Sequence, residues 1–214
     1  MNEILHSNSR LGGLRAGLIV PSVNTTIEPE FAKLGPPGLS FHAARIGLTD
    51  TTVVGLERMN RDLDDAVRLV AATSPDALVY ACTSGSFFAG RDGMSALTEK
   101  IAREVQCPII TTSDAAIAAL EKVGARKIAV ATPYLDEINE RERAFFEGCG
   151  FSVESLRGLS LSGKAIREVP PEAIADLALQ TDCESADALF ISCTDFRALE
   201  TVEHLEERIG KPVI

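Results

Sequence analysis

Two cysteines of the 214-residue chain combine position and neighbours in a way that suggests chemistry. Cys82 ends ALVYAC and Cys193 ends ALFISC, and each is followed by a threonine. A thiol that closes a strand and leads towards a helix meets exposed backbone N–H groups, which can lower its pKa below the usual ~8.5. Two such thiols on opposite sides of one small substrate could add to an alkene carbon, or remove and return a proton at carbon. Cysteine is also among the most buried residue types, and core packing is the reading adopted for Cys107, Cys149 and Cys183. The count of five is odd, and no CxxC or metal-type spacing with one of the three histidines occurs, so neither a disulfide framework nor a metal site is suggested.

Donors for a carboxylate are sought near the same strand ends. In PSVNTTIEPE (21 to 30), Thr25 and Glu28 fit a T-x-x-E capping box that would start a helix. Asn24 would then sit just outside, beside free N–H groups at a positive dipole end, a natural place for a carboxylate. Tyr134, in ATPYLDE, could donate a phenolic hydrogen bond across a cleft, although a half-buried aromatic at a helix start is an equally good account of it. Backbone N–H groups near Thr83 and Thr194 could take up charge pushed into a carboxylate. His42, inside an apparent strand, and His204, on a charged helix, read as structural and solvated. Neither a dinucleotide fingerprint nor a Walker, zinc-protease or serine-hydrolase motif is present.

The elements that must position these residues alternate between short apolar runs and helical patterns, the mark of an α/β protein with mainly parallel strands. Strands are expected at 14 to 20, 39 to 46, 77 to 81 and 108 to 111, with an amphipathic helix over 57 to 73 and another over 113 to 124. A second series follows, with strands at 127 to 131, 151 to 156, 188 to 192 and 212 to 214 and helices near 136 to 148, 171 to 181 and 196 to 209. The series match each other: SPDALVYACT (74 to 83) pairs with SADALFISCT (185 to 194), and CPII (107 to 110) with KPVI (211 to 214). The chain therefore reads as a duplicated unit, halves 14–124 and 125–214, Rossmann-like and related by a pseudo-two-fold axis. Ligands of open parallel sheets bind beyond the carboxyl ends of strands, which brings both cysteines to a shared cleft. The second half stops at its last strand without the helix that follows CPII in the first, so a longer native chain is expected.

Composition narrows the class. At 45% apolar and 24% charged residues the chain is globular, and its net charge of -10 disfavours nucleic acid. No signal sequence and no run of roughly 20 apolar residues is evident, so a cytoplasmic, non-membrane protein is expected, acting on a small carboxylate as a homo-oligomer.

Taken together, PSVNTTIEPE, SFHAARI, YACT, the ATPY turn and ISCT resemble the aspartate/glutamate racemase superfamily, in its branch of maleate cis-trans isomerases and arylmalonate decarboxylases. The likeness runs from about residue 14 to the end, and ATPYLDEINERERAFF is similar to the decarboxylases in particular. The resemblance implies a nucleophile or first acid/base at Cys82, an opposing acid/base at Cys193, carboxylate ligands at Asn24 and Tyr134, and no metal or organic cofactor. It favours a maleate-isomerase-like enzyme, with a racemase or a decarboxylase as alternatives and a non-catalytic carboxylate binder less favoured. Decarboxylases of this branch keep only the second cysteine, whereas this chain has both. In one loop, LSLSGKAIREV (159 to 169), the amide ligand of maleate isomerases is replaced by Lys164 or Gly163, which puts maleate itself in question. With Lys164 as the substrate ligand, a bulkier or amino-substituted acid is expected.

Overall fold

The computed structural model describes residues 13–214. Its first sheet has the parallel order β2-β1-β3-β4, formed by β1 (Leu14–Pro21), β2 (Leu39–Ile46), β3 (Ala77–Tyr80) and β4 (Ile109–Thr111). Around it lie α1 (Ile27–Leu34), α2 (Val53–Arg61), α3 (Leu63–Ala71), α4 (Thr83–Phe87), α5 (Gly90–Ala102) and α6 (Thr112–Lys122). The second sheet is β6-β5-β7, from β5 (Lys127–Thr132), β6 (Ser152–Gly158) and β7 (Ala188–Ile191), with α7 (Asp136–Gly148), α8 (Pro171–Thr181) and α9 (Val202–Ile209). The expected two-half parallel α/β architecture is present.

The two units repeat each other in detail. In the first, Asp76 Oδ2 accepts from the N–H of Arg15 at the start of β1 (2.9 Å). In the second, Asp187 Oδ2 accepts from Arg126 and Lys127 at the start of β5 (2.8 Å each). These are the aspartates of the matched SPDAL and SADAL segments. Leu78 N–H reaches Pro108 O at 2.9 Å, and Leu189 N–H reaches Pro212 O at 3.0 Å. The final strand expected at 212 to 214 is reduced to one parallel bridge, Leu189 to Val213.

Three boundaries differ from expectation. The helix over 57 to 73 is two helices that meet at Asp62. Helix α9 begins only at Val202, because residues 193 to 201 form turns beside the site. The helix expected beyond Cys82 is a pair, α4 and α5, whose bounds were not foreseen; its first residues, TSGSF, have poor helix propensity and are held by burial of all five.

One apolar core spans both units, with Phe87 of α4 packed 6.1 Å from Tyr134 and 6.2 Å from Phe145, centroid to centroid. Burial of such rings across the junction makes the halves a single packed body.

Candidate active site

Cys82 follows β3 and is the N-cap residue of α4, its Sγ accepting from Gly85 N–H at 3.4 Å and lying 3.7 Å from Ser84 Oγ. The turn needs glycine at 85: a Cβ there would lie 2.4 Å from Tyr80 Oη and 3.1 Å from Cys82 Sγ. Cys193 follows β7 with φ at 92°, in the left-handed region that a side chain rarely adopts. Such backbone costs about 1–3 kcal/mol and persists where surrounding contacts over-determine it. Both sulfur-bearing residues face one cavity, which is also lined by Asn24, Thr83, Tyr134 and Thr194. The expected meeting of the two cysteines is thus what the fold produces, and the cavity is closed down to about 20 Å³, room for roughly one water. A larger depression of about 390 Å³, bordered by Glu30, Lys33, Arg167 and Arg197, includes neither cysteine.

The thiols do not have the lowered pKa that strand-end positions suggested. Burial pushes Cys82 up to about 11, outweighing the Gly85 N–H and Ser84 hydroxyl that favour its thiolate. Burial likewise pushes Cys193 up to about 12 against the Tyr134 hydroxyl and the Asp195 N–H. A helix of five residues is too short for its dipole to offset desolvation of a thiolate. At neutral pH both cysteines are therefore neutral thiols in the closed site.

Asn24 serves a role that the sequence assigned to others. The T-x-x-E box does not form: Thr26 stands at the N-cap without a side-chain capping bond, its Oγ1 donating to Asp195 O at 3.3 Å, and Glu28 pairs with Arg45. Instead Asn24 Oδ1 accepts from Thr26 and Ile27 N–H (3.0 and 3.1 Å) while its Nδ2 donates to Thr194 Oγ1 (3.0 Å). Thr194 Oγ1 in turn donates to Ala81 O at 3.2 Å. The N–H groups expected to be free for a carboxylate are occupied by Asn24, which clasps the two halves. Asp195 adds to the clasp, its Oδ1 accepting from Thr25 N–H at 2.9 Å. The sequence reading did not single it out, although it completes the CTD turn beside the second thiol. Burial raises its pKa, and its charge raises both thiols further.

The roof of the cavity comes from two loops. Thr51 N–H donates to Ser162 Oγ (2.7 Å), tying the segment after β2 to the one after β6. Gly163, in a three-residue turn with φ at 56°, lines the cavity, and a Cβ on it would meet Thr49 O at 2.4 Å. Lys164 is exposed and is not part of the lining. Of the two candidates for the loop position, the structure brings Gly163 to the site and leaves Lys164 at the surface. Among the described residues no lysine, arginine or histidine lines the cavity, and the donors there are N–H, hydroxyl and thiol groups. No cluster of histidine, cysteine and acidic residues fit for a metal ion occurs among the described residues. Cys107, Cys149 and Cys183 are partly buried against the core, away from the cavity lining.

Fold and site together define a two-unit parallel α/β enzyme with a pair of thiols enclosing a small ligand space. The chain belongs to the arylmalonate decarboxylase family, whose model matches residues 16–214. It is 29% identical over 215 residues to a maleate isomerase of Nocardia farcinica, covering 95% of this chain and 86% of that protein. It is 28% identical over 201 residues to an arylmalonate decarboxylase of Bordetella bronchiseptica, covering 92% and 83%. Among solved structures, the Nocardia farcinica maleate cis-trans isomerase bound to TRIS superposes with a TM-score of 0.89 at 26% identity, over 94% of this chain and 86% of that one. A cysteine-to-serine variant of that isomerase, with a covalently bound succinylcysteine intermediate, matches equally well.

Proposed function

We propose that this chain is a cofactor-independent cis-trans isomerase of a small dicarboxylate, with Cys82 and Cys193 as its catalytic residues. The observation that carries the reading is the presence of both thiols, at equivalent strand ends, on one cavity. The covalent succinylcysteine seen in the Nocardia farcinica relative supports addition of a thiolate to the alkene. On this reading the Cys82 thiolate adds to one alkene carbon, which leaves a C–C single bond and a carbanion conjugated to the neighbouring carboxylate. Thr83 and Thr194 N–H groups stabilise that charge, rotation follows, and elimination restores the double bond and the thiolate. Cys193 stands opposite to supply or hold a proton, and Tyr134 and Asn24 fix the carboxylate and the two halves around it. Because both thiols are neutral in the closed site, the nucleophile forms only when substrate and the groups around it stabilise a thiolate. A diacid is larger than about 20 Å³, so the loops joined at Thr51 and Ser162 separate to admit it.

The loop at Gly163 favours a second reading. With neither a side-chain amide nor a cation at that end, recognition of a second carboxylate is thinner than that of the first. A racemase acting on an amino-acid derivative would use the same thiols to exchange a proton at carbon. The reading takes the halves as 14–124 and 125–214, a homo-oligomer and a cytoplasmic location; no helix among the described residues is long and apolar enough to cross a membrane.

The test is incubation with a panel of dicarboxylates and amino acids in deuterated water, followed by NMR. Conversion of maleate to fumarate supports the isomerase. Deuterium incorporation at an sp3 carbon without alkene change moves the assignment to the racemase, and no change in any compound contradicts both.

A further inference from the structure

Behind Cys193 lies a chain of polar groups that the proposed reaction leaves unused. The inward face of α7 is largely apolar through Ile138, Phe145 and Phe146, with Asn139 hydrogen-bonded to Thr132 and Tyr134, and at position 142 it carries a glutamate with no exposed surface. Glu142 Oε1 accepts from Ser192 Oγ at 2.5 Å. Ser192 Oγ lies 3.5 Å from the hydroxyl of the fully buried Tyr134, which lines the cavity beside Cys193 and favours the thiolate of that residue. The second carboxyl oxygen, Oε2, has no partner among the described residues. A buried carboxyl in an apolar face is costly, and a half-used one is unfavourable as a purely structural device.

We propose that Glu142 is a positioning residue for Cys193, its protonation state deciding through Ser192 whether the Tyr134 hydroxyl donates to the Cys193 sulfur or turns inward. The inference rests on the two-thiol reading in treating Cys193 as an acid/base. Each hydroxyl has one proton to give, which makes the chain directional. With Glu142 ionised, Ser192 spends its proton on the carboxylate and offers a lone pair to Tyr134, which competes with Cys193 for the phenolic proton. With Glu142 neutral, the carboxyl donates to Ser192, Ser192 to Tyr134, and Tyr134 to Cys193, where the bond favours thiolate. Burial pushes the Glu142 carboxyl up to about 8, so the reversal falls near neutral pH.

Few other charges face this chain. Tyr134 and Cys193 are its titratable neighbours from the sheet side, and next come Asp195, which lines the same cavity and whose charge acts on Cys193, and then Cys82 at the head of α4. On α7 itself Arg141 and Arg143 are bonded to Phe88 O and Val153 O. Arg91 of α5 acts on Cys149 at the far end of α7, and Glu154 and Arg157 of the adjoining β6 are exposed.

The experiment follows modification of each cysteine by methyl methanethiosulfonate in the folded chain from about pH 6 to 10, with peptide mass mapping to resolve the sites. In the unaltered protein the Cys193 rate should rise with pH and then flatten through about pH 8 as Glu142 ionises. Glu142→Gln should rise without that break and exceed the unaltered protein by about tenfold at the alkaline end, the worth of one hydrogen bond to a charged group. Ser192→Ala should abolish the break with Glu142 still in place, and Ser192→Thr should restore it. If Glu142→Gln does not fold, the two Ser192 variants decide the matter. Coincident Cys193 profiles for the unaltered protein and Glu142→Gln overturn the proposal. So does a break that survives in Ser192→Ala, since it assigns the effect to charge acting through space. Cys82 is the internal control. Loss of the isomerase reading would show instead as no turnover of any dicarboxylate, with these thiol profiles unaffected.

Discussion

The two cysteine corners come from one repeated unit and have diverged in what surrounds the sulfur. At Cys82 the chain turns directly into α4, and the thiol is met by backbone N–H and a serine hydroxyl of its own turn. At Cys193 the backbone is strained, turns replace a helix until Val202, and beside the Asp195 N–H the hydroxyl that favours the thiolate belongs to a tyrosine from the strand end alongside, backed by Ser192 and Glu142. Both corners offer a backbone N–H, but the hydroxyl of the first belongs to its own turn and that of the second ends a chain of exchangeable protons. That difference suits a nucleophile on the first side and an acid/base on the second, a division that the matched sequences alone do not reveal.

The largest expected effects come from removing the thiols. Cys82→Ser and Cys193→Ser should each lower kcat/KM by roughly a hundredfold or more while leaving the circular dichroism spectrum and melting temperature near those of the parent, since a hydroxyl is a poorer nucleophile and acid/base. Full activity in Cys82→Ser would break the comparison and favour a decarboxylase-like site with one thiol. Next is Tyr134→Phe, which takes a donor from the Cys193 corner of the cavity and leaves the partners of Cys82 in place. A fall of about tenfold or more in turnover, with the modification rate of Cys82 unchanged, would sharpen the contrast between the corners.

The loop departure gives a smaller pair. Gly163→Ala should lower kcat/KM by about tenfold, because its Cβ would strike Thr49 O and shift the roof. Lys164→Asn should change it less than about twofold, since that side chain is exposed. An effect of Lys164→Asn equal to that of Gly163→Ala would return the lysine to the pocket. A separate effect concerns stability. Glu142 titrates near pH 4.5 when unfolded and about 8 when folded, so between those values the folded state holds a proton that the unfolded state has released. Unfolding free energy from this group therefore falls as pH rises through that window. The melting temperature of Glu142→Gln relative to the parent should climb over the same range, and a difference independent of pH would show that the carboxyl is not buried as described.

Much of this was legible because it is local. Apolar periodicity located β2, α7 and α8 with their ends, and the SPDAL and SADAL match located both strand-end cysteines. What escaped depends on the other half of the molecule. Asn24 displaced the Thr25 and Glu28 capping box because Thr194 and Asp195, about 170 residues away, fix the entry to α1. Thiol pKa values went up rather than down because closure of the halves desolvates both sulfurs, which no local motif records. Lys164 and Gly163 differ by one position, and only the turn geometry decides which faces inward. For Glu142 a signal was present, an acid at i+4 from Ile138 and next to Phe145 and Phe146 on the same face, but a charged residue on a helix ordinarily marks the solvent side.

The account turns on one chemical event, addition of the Cys82 thiolate to an alkene across from Cys193. Cys193→Ser incubated with maleate, denatured and mapped by peptide mass should carry one diacid on Cys82 and none on Cys107, Cys149 or Cys183. An unmodified Cys82 in that variant, while the parent converts maleate to fumarate, would contradict the account by showing that isomerisation proceeds without a bond to this sulfur.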